Sequence, residues 1–310
     1  MIRRVVFLLL GLQLATALIV AATLHRYWQP AGPLYWQALL ELFYLLCGGV
    51  LVLTLRLLIS ANNFRLSLRG QPAAPALSLP RLCMLLAHEY CSNLKTTSYD
   101  MLHPVGLQLP AGQHGLPVLL IHGYGCNSGY WRPLSGLLNQ AGVAHLGVDL
   151  EPPGASIDDF TPQVHAAIAQ LCAATGQQRV VIVGHSMGGL VARAYLRRYG
   201  AAAVARVITL GTPHQGTALS LAKFGIGQNV RQMLYNSEWL RGLAAGEANL
   251  QRELFSTIYT LHDNIVAPAQ SAQLAGARQL AFEGVGHVAL GRHAETLPRV
   301  MDEILAATHA

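Results

Sequence analysis

A serine stands between two glycines in the segment Gly184–Gly188, which reads Gly-His-Ser-Met-Gly. The apolar run Val180–Val183 predicts a buried strand before Ser186, and the apolar spacing after it predicts a helix. The two glycines allow the strand and the helix to approach closely, so that the serine hydroxyl projects above the sheet edge. At a helix N-terminus, backbone N–H groups favour developing negative charge. The pattern predicts a serine nucleophile, and a glycine-rich structural turn is the alternative.

A second glycine-rich loop follows the apolar run Pro117–Ile121, which predicts another buried strand. The loop reads His122-Gly123-Tyr124-Gly125. Beside a nucleophile, such a loop can supply backbone N–H donors to the oxyanion of a tetrahedral intermediate, each worth about 3–4 kcal/mol. Taken alone, the loop is equally compatible with an ordinary glycine turn.

Together these motifs resemble the α/β-hydrolase superfamily, specifically its bacterial lipase and esterase branch, from about Leu116 to the C-terminus. The resemblance implies that Ser186 is the nucleophile of a Ser-His-Asp triad. It implies an oxyanion hole formed by the backbone N–H groups of Tyr124 and Met187. We further expect His122 and His185, which lie in these two loops, to contact the substrate.

The resemblance also implies the order of the triad along the chain, which is serine, acid, histidine. His287 lies in a Gly-x-Gly-His loop similar to that of related lipases, and we expect it to be the base. His214 lies in another family-like segment, which builds the wall of the site. Asp263 follows a strand-like run, stands 24 residues before His287 and is the expected acid. Glu283 is the alternative acid.

The N-terminal region is more apolar than that of an ordinary soluble enzyme. The 310-residue chain is 52% hydrophobic with a mean hydropathy of +0.36. Val5–Leu24 holds no charged residue, and at 1.5 Å per residue it spans about 30 Å, the thickness of a bilayer core. Leu34–Ile59 is a second apolar run. The Tyr, Trp, Pro and Gly residues between the runs are typical of an interfacial turn. Residues 1–69 are therefore predicted to form a transmembrane hairpin.

The positive charge of the chain lies in the same region. Residues 1–81 contain seven arginines and one glutamate, which accounts for the whole net charge of +6. Only Arg26 lies between the two apolar runs, so the positive-inside rule places both ends of the hairpin in the cytoplasm. We expect an integral protein of a bacterial inner membrane with a cytoplasmic catalytic domain and no nucleic-acid partner. A cleaved signal peptide at Val5–Leu24 is the alternative.

Strands and helices alternate after a Pro/Ala-rich linker at residues 70–80. An amphipathic helix is predicted over Arg81–Leu94. Alternation of this kind favours a mostly parallel sheet with flanking helices, the α/β-hydrolase fold, over residues 81–310. The predicted strands are Val118–Ile121, His145–Asp149, Val180–Val183, Val207–Leu210, Phe255–Leu261 and Gln279–Phe282. The predicted helices are Tyr130–Gln140, Thr161–Thr175, Met187–Tyr199 and Glu295–Ala307.

One apolar insertion, about residues 218–252, does not fit the alternation. In similar lipases this region builds the cap and the acyl pocket, and we expect Leu234 and Trp239 to contact an acyl chain. The alternative is that its helices simply complete the core. No metal-ligand spacing stands out. Although some related lipases bind structural calcium, no acidic cluster here requires it, so we expect no metal and no cofactor.

The expected function is a membrane-anchored serine hydrolase that cleaves carboxylic esters, with a lipid or acyl ester as substrate and an acyl-enzyme intermediate. An acyltransferase or a thioesterase would use the same residues with a different acceptor or ester. A non-catalytic membrane scaffold of the same fold is the third possibility. The sequence does not indicate an oligomeric state.

Overall fold

A seven-stranded sheet is the scaffold of the described chain beyond its N-terminal helices. The computed structural model describes residues 1–28, 31–69, 74–218, 225–247 and 249–308. The strand order is β1-β3-β2-β4-β5-β6-β7, and only β1 runs antiparallel to its neighbour. The strands are β1 (Leu107–Gln108), β2 (Val118–Ile121), β3 (His145–Val148), β4 (Val180–His185), β5 (Val204–Leu210), β6 (Phe255–Thr260) and β7 (Arg278–Phe282).

Strands β2 and β4 are buried along their whole length and are almost entirely apolar, as expected of central strands with both faces covered. Successive side chains of a strand point to opposite faces. In β2, Leu119 and Ile121 join one core cluster, whereas Val118 and Leu120 join the other. The predicted strands are all present, with ends that differ by at most three residues. Strand β1 was not predicted, since two residues carry no periodic signal.

Helices cover both faces of the sheet. Helices α5 and α6 pack in one core cluster, and α4 and α10 pack in the other. The helices that follow β1 are α4 (Arg132–Gln140), α5 (Thr161–Thr175), α6 (Met187–Tyr199), α7 (Gln228–Gln232), α8 (Glu238–Ala245), α9 (Asn249–Glu253) and α10 (Thr296–Ala306). The first residues of the predicted Tyr130–Gln140 helix form a short 3₁₀ turn, Ser128–Trp131, before α4 begins.

Two long apolar helices precede the sheet, α1 (Ile2–Tyr27) and α2 (Leu34–Leu68). They pack in opposite directions, so that Gln13 meets Arg56 and Ala17 meets Gly48. A Cβ atom on Gly48 would lie 2.4 Å from the carbonyl oxygen of Ala17, so glycine permits this close approach. Both helices are long and apolar enough to cross a membrane by length and composition. Helix α2 extends nine residues past the predicted end at Ile59.

The sheet and its flanking helices rest against this hairpin through α3 (Leu79–Ser98). The Arg56 guanidinium donates to Thr97 Oγ1 at 2.5 Å and to Asn93 Oδ1 at 3.3 Å. The Tyr90 hydroxyl donates to the Leu53 carbonyl at 2.9 Å. Helix α3 begins inside the predicted linker 70–80 and ends after the predicted Leu94. Residues 70–73 of that linker lie outside the described residues.

Candidate active site

Ser186 occupies a sharp turn between β4 and α6, as the sequence predicted. Its backbone angles are φ 53° and ψ −121°, a conformation that costs a non-glycine residue about 1–3 kcal/mol. A Cβ on Gly184 would lie 2.7 Å from the backbone of Gly188, and one on Gly188 would lie 2.2 Å from the Ile121 carbonyl oxygen. The flanking glycines are therefore required by the close approach of strand and helix.

His287 and Asp263 form a buried pair beside this turn. The Nδ1 atom of His287 lies 2.8 Å from Asp263 Oδ2, and both side chains are almost fully buried. The other carboxylate oxygen, Oδ1, accepts the backbone N–H groups of Ile265 at 2.8 Å and Val266 at 2.7 Å. With Asp263 accepting at Nδ1, the histidine carries its proton there. Its Nε2 is left to accept a proton from a hydroxyl group.

The charge of Asp263 sets the protonation of His287. Burial alone would lower the pKa of the imidazole, because the charged form is desolvated. The negative charge and the hydrogen bond of Asp263, with a smaller contribution from Glu89, outweigh that effect. The pKa of His287 is therefore raised above its ordinary value. An imidazolium formed during a reaction is stabilised at this position.

Neighbouring residues fix the backbone of His287 on both sides. Asn264 Oδ1 accepts the His287 N–H at 3.0 Å, and His185 Nε2 donates to the His287 carbonyl at 3.1 Å. The His185 ring stacks on Tyr130 with a centroid distance of 4.2 Å, and burial holds the pKa of His185 well below its usual value. His185 was predicted as a substrate contact. It lines the cavity described below and also holds the histidine loop.

Sequence reasoning missed Asn264 and Glu89. Asn264 follows Asp263 directly, and an Asp-Asn pair is typical of an ordinary turn, so the sequence gives no further signal for it. Glu89 comes from α3 and accepts the backbone N–H groups of Val288 and Ala289 at 3.0 and 2.9 Å. Nothing in the sequence marks this glutamate, because α3 has the pattern of an ordinary amphipathic helix packed on its own domain.

The loop after β2 lies directly beside Ser186. A Cβ on Gly123 would lie 3.0 Å from the Ser186 Cβ. Met187 is the first residue of α6, so the helix itself offers its N–H no carbonyl partner. The Tyr124 hydroxyl donates to the Ile226 carbonyl at 3.0 Å and so ties this loop to the insertion. The backbone N–H groups of Tyr124 and Met187 remain the predicted oxyanion donors.

His122 was predicted to contact the substrate, and in the structure its ring is hydrogen-bonded within the fold. Its Nε2 accepts the Leu150 N–H at 3.0 Å and its Nδ1 donates to the Gly123 carbonyl at 2.8 Å. Both ring nitrogens are thus used within the fold, and burial lowers the pKa of the ring. His122 supports the loop and does not line the cavity.

An apolar cavity of about 310 Å³ opens onto Ser186 and His287. Its walls come from the loop after β2, the loop that carries His287, the turn after Asp263 and the insertion. The apolar side chains among them are Val230, Met233, Ile265, Val266 and Val288. Cys126 also lines it, but burial raises the pKa of its thiol to about 12, which keeps the sulfur from acting as a thiolate.

Leu234 and Trp239 were predicted to contact an acyl chain, and neither is among the residues that line this cavity in the described part of the chain. Helix α7 ends at Gln232, so helical spacing does not continue to Leu234, which pairs with Thr217 in a short bridge. The Trp239 indole donates to Asp158 Oδ2 at 2.8 Å and packs against the core. The part of the insertion that contains Trp239 therefore packs against the core, while Val230 and Met233 face the cavity. Residues 219–224 and 248 of the predicted cap lie outside the described residues.

His214 and the alternative acid, Glu283, lie away from the cavity. His214 is buried with its Nε2 3.2 Å from Thr209 Oγ1, and its carbonyl accepts from Arg193 at 3.0 Å. Glu283 is exposed to solvent. Neither residue lines the cavity. Across the described ranges, no group of three His, Cys, Asp or Glu side chains is placed to hold a metal ion.

Known sequences match the middle of the chain. Residues 117–259 match a family described as having the alpha/beta hydrolase fold. Over 111 residues the chain is 34% identical to a triacylglycerol lipase of Pseudarthrobacter phenanthrenivorans and to one of Burkholderia plantarii. These alignments cover 33% of this chain and 34% and 30% of the two lipases, so the chain spans about a third of the length of the curated relatives it matches.

Solved structures extend the match over more of the chain. A lipase of Bacillus licheniformis in its mature form has a TM-score of 0.54 at 18% identity, over 64% of this chain and 96% of that one. Aspergillus fumigatus lipase B also has a TM-score of 0.54, at 19% identity over 64% of this chain and 55% of that one. At such identities the similarity establishes the fold alone, and it confirms the predicted fold class.

Proposed function

We propose that the chain is a membrane-anchored serine hydrolase of the α/β-hydrolase family that cleaves carboxylic esters of lipid-like acyl chains, and the family match over residues 117–259 supports this proposal. One observation carries this proposal. The strained Ser186 and His287, which is paired with the buried Asp263, line the same apolar cavity. A strained backbone and a buried, charge-paired histidine both lower the stability of a fold. Such features cluster at active sites, where they contribute to the reaction.

The proposed reaction proceeds through an acyl-enzyme. The Ser186 Oγ attacks the ester carbonyl while His287 Nε2 takes the hydroxyl proton, and Asp263 stabilises the resulting imidazolium. The backbone N–H groups of Tyr124 and Met187 bind the oxyanion. The tetrahedral intermediate collapses, the C–O bond to the alcohol breaks, and the alcohol leaves with the proton from His287. Water, deprotonated by the same histidine, then releases the acid and restores the serine.

The cavity favours an acyl chain over a polar substituent. Its side-chain lining near Ser186 is made largely of aliphatic groups from the insertion and from the turn after Asp263. Each methylene group buried there contributes about 0.8 kcal/mol to binding. Val230 and Met233 are buried residues of the insertion and contribute to this wall.

Two residues of the cavity wall lie next to the hairpin, which supports a substrate taken from the adjacent leaflet. On one side, Cys126 packs against a cluster that contains Ile2 and Val6 of α1. On the other side, Ile265 also lines a smaller pocket of about 120 Å³ together with Ile59 of α2. An amphiphile in the bilayer would therefore meet the cavity close to the anchor.

A fluorophosphonate probe tests the serine hydrolase activity directly. We expect the full-length protein in detergent micelles to be labelled at Ser186, because the probe reacts with a serine that is activated by a histidine. Ser128→Ala, at a buried serine outside the cavity, should be labelled like the wild type, whereas Ser186→Ala should not be labelled.

A folded wild-type protein that does not react with the probe would refute the proposal and favour the scaffold alternative. Analysis of the products in the presence of an acceptor alcohol separates hydrolysis from acyl transfer. Free fatty acid is expected as the main product. A new ester as the main product would assign the same residues to an acyltransferase.

The proposal also places α1 and α2 across the membrane. Most of their apolar side chains have no protein partner in the described part of the chain, with Leu8 73% exposed and Ile19 66% exposed. Surfaces of this size are stable in lipid and not in water. The acidic residue of α2, Glu41, is paired with His25 at the turn end of the hairpin, where water is accessible. The arginine distribution then puts the active site in the cytoplasm.

C-terminal reporter fusions are expected to show this orientation. Green fluorescent protein fused after the last residue should fluoresce, and alkaline phosphatase at the same place should remain inactive. The matched control is a fusion truncated in the turn between α1 and α2, where the two reporters should give the opposite result. Active phosphatase on the full-length chain would place the domain outside and exclude α2 as a span.

A further inference from the structure

Glu89 is a buried carboxylate of α3 that touches the loop of the proposed base. Its side chain is 1% exposed. The Oε1 atom accepts the Val288 N–H at 3.0 Å, and Oε2 accepts the Ala289 N–H at 2.9 Å. On the other side of the carboxylate, a Cβ on Gly286 would lie 2.5 Å from Oε2. Glu89 therefore contacts the residues immediately before and immediately after His287.

Burying a carboxylate in this way lowers the stability of the fold, which indicates that Glu89 has a role. Burial raises the pKa of Glu89, while the two backbone donors and His287 act to lower it. An isolated carboxylate is unfavourable in a buried place, and a neutral apolar side chain would fill the same space with a smaller desolvation penalty. A neutral side chain, however, would leave the two N–H groups of Val288 and Ala289 unsatisfied.

The charged groups around Glu89 come from several elements. His287 and Asp263 face it from the loops after β7 and β6. Tyr130 faces it from the 3₁₀ turn before α4, where its hydroxyl donates to the Val288 carbonyl at 3.2 Å. Arg56 of α2 lines the same small pocket as Glu89. Asp263 and Glu89 together place two carboxylates near one imidazole.

We propose that Glu89 is a positioning residue of the active site, which holds the 286–289 loop by its backbone and adds negative charge behind His287. The inference rests on the proposed function, because it assigns a purpose to that site. Glu89 does not touch the substrate; it acts through His287. Side chains of α3 also accept hydrogen bonds from Arg56 of α2. Helix α3 therefore contacts both the hairpin and the loop that carries His287.

The variant Glu89→Gln keeps the size of the side chain and removes its charge. An amide offers one acceptor oxygen, and its NH₂ group would face the second backbone N–H. We expect kcat to fall about 10- to 100-fold, since small displacements of a catalytic group have effects of this size. We expect KM to change by less than about twofold, because binding in the cavity is not altered.

The pH profile distinguishes positioning from a structural role. The proposed base must be neutral to act, so kcat/KM should rise with pH through the pKa of His287. Removing the Glu89 charge removes one contribution that raises this pKa, so the acid limb of Glu89→Gln should move to lower pH. The matched control is Glu303→Gln. Glu303 is also buried but accepts from Ser256 Oγ at 2.5 Å, at the opposite end of β6.

Four outcomes are decisive when measured on the full-length protein in micelles. A lower kcat with a shifted acid limb in Glu89→Gln, and an unshifted limb in Glu303→Gln, supports the inference. Loss of thermal stability alone, with wild-type kcat and an unshifted limb, overturns it. If Glu89→Gln does not fold, Glu89→Asp keeps the charge but shortens the reach, and an unchanged kcat there overturns it too. A wild-type protein that is inert to the fluorophosphonate probe refutes the proposed function instead.

Discussion

Replacing Ser186 or His287 with alanine is expected to lower kcat for ester hydrolysis by about 10³-fold or more while the fold remains intact. In the proposed mechanism, Ser186 forms the acyl-enzyme and His287 transfers the proton in both halves of the reaction. The measurement is the steady-state hydrolysis of p-nitrophenyl esters by the purified full-length protein. Circular dichroism on the same samples shows that the variants are folded.

Asp263→Asn extends the same experiment to the acid. The hydrogen bond at 2.8 Å holds the imidazole in one tautomer, and an asparagine there can impose the wrong one. We expect a loss of activity smaller than that of Ser186→Ala, with Glu283→Gln as the exposed control. Wild-type rates in Ser186→Ala would refute the nucleophile. A silent Asp263→Asn beside an impaired Glu283→Gln would show that the wrong acid has been assigned.

Replacing Met233 with tryptophan is expected to change the preferred acyl length. Met233 lines the cavity and is nearly buried, so a larger side chain there occupies space that an acyl chain would fill. Exclusion of about four methylene groups, at about 0.8 kcal/mol each, lowers kcat/KM on an octanoate ester about 10²-fold. The acetate ester, which needs little of the cavity, should lose less than about threefold.

Leu234→Trp is the matched control for added bulk. It is the next residue in the chain, but it lies outside the cavity and should leave the ratio of octanoate to acetate activity unchanged. Equal losses on both esters in Met233→Trp would show that the insertion serves only to complete the core. A shift in Leu234→Trp as large as that in Met233→Trp would show that the acyl chain lies elsewhere.

The sequence determined those features that depend on residues close together in the chain. The turn at Ser186 follows from a β-branched run, two glycines and a helical pattern within a few residues. The two N-terminal helices follow from their uninterrupted hydropathy, which needs no tertiary partner to be recognised. The parallel order of the sheet follows from the alternation of strands and helices, because a parallel pair requires a crossover connection. Strand β1 has only two residues, which are too few to show a strand pattern in the sequence.

Only the tertiary structure decided which distant residues meet. The sheet brings the ends of β4, β6 and β7 to one edge, which places Asp263 Oδ2 2.8 Å from His287 and leaves Glu283 in solvent. The early end of α7 turned Met233 toward the cavity and Leu234 away from it. Glu89 meets Val288 across 199 residues of sequence. Local sequence patterns indicate which residues are buried and which backbone conformation they prefer. The partner of a buried charge depends instead on the packing of elements that are distant in the chain.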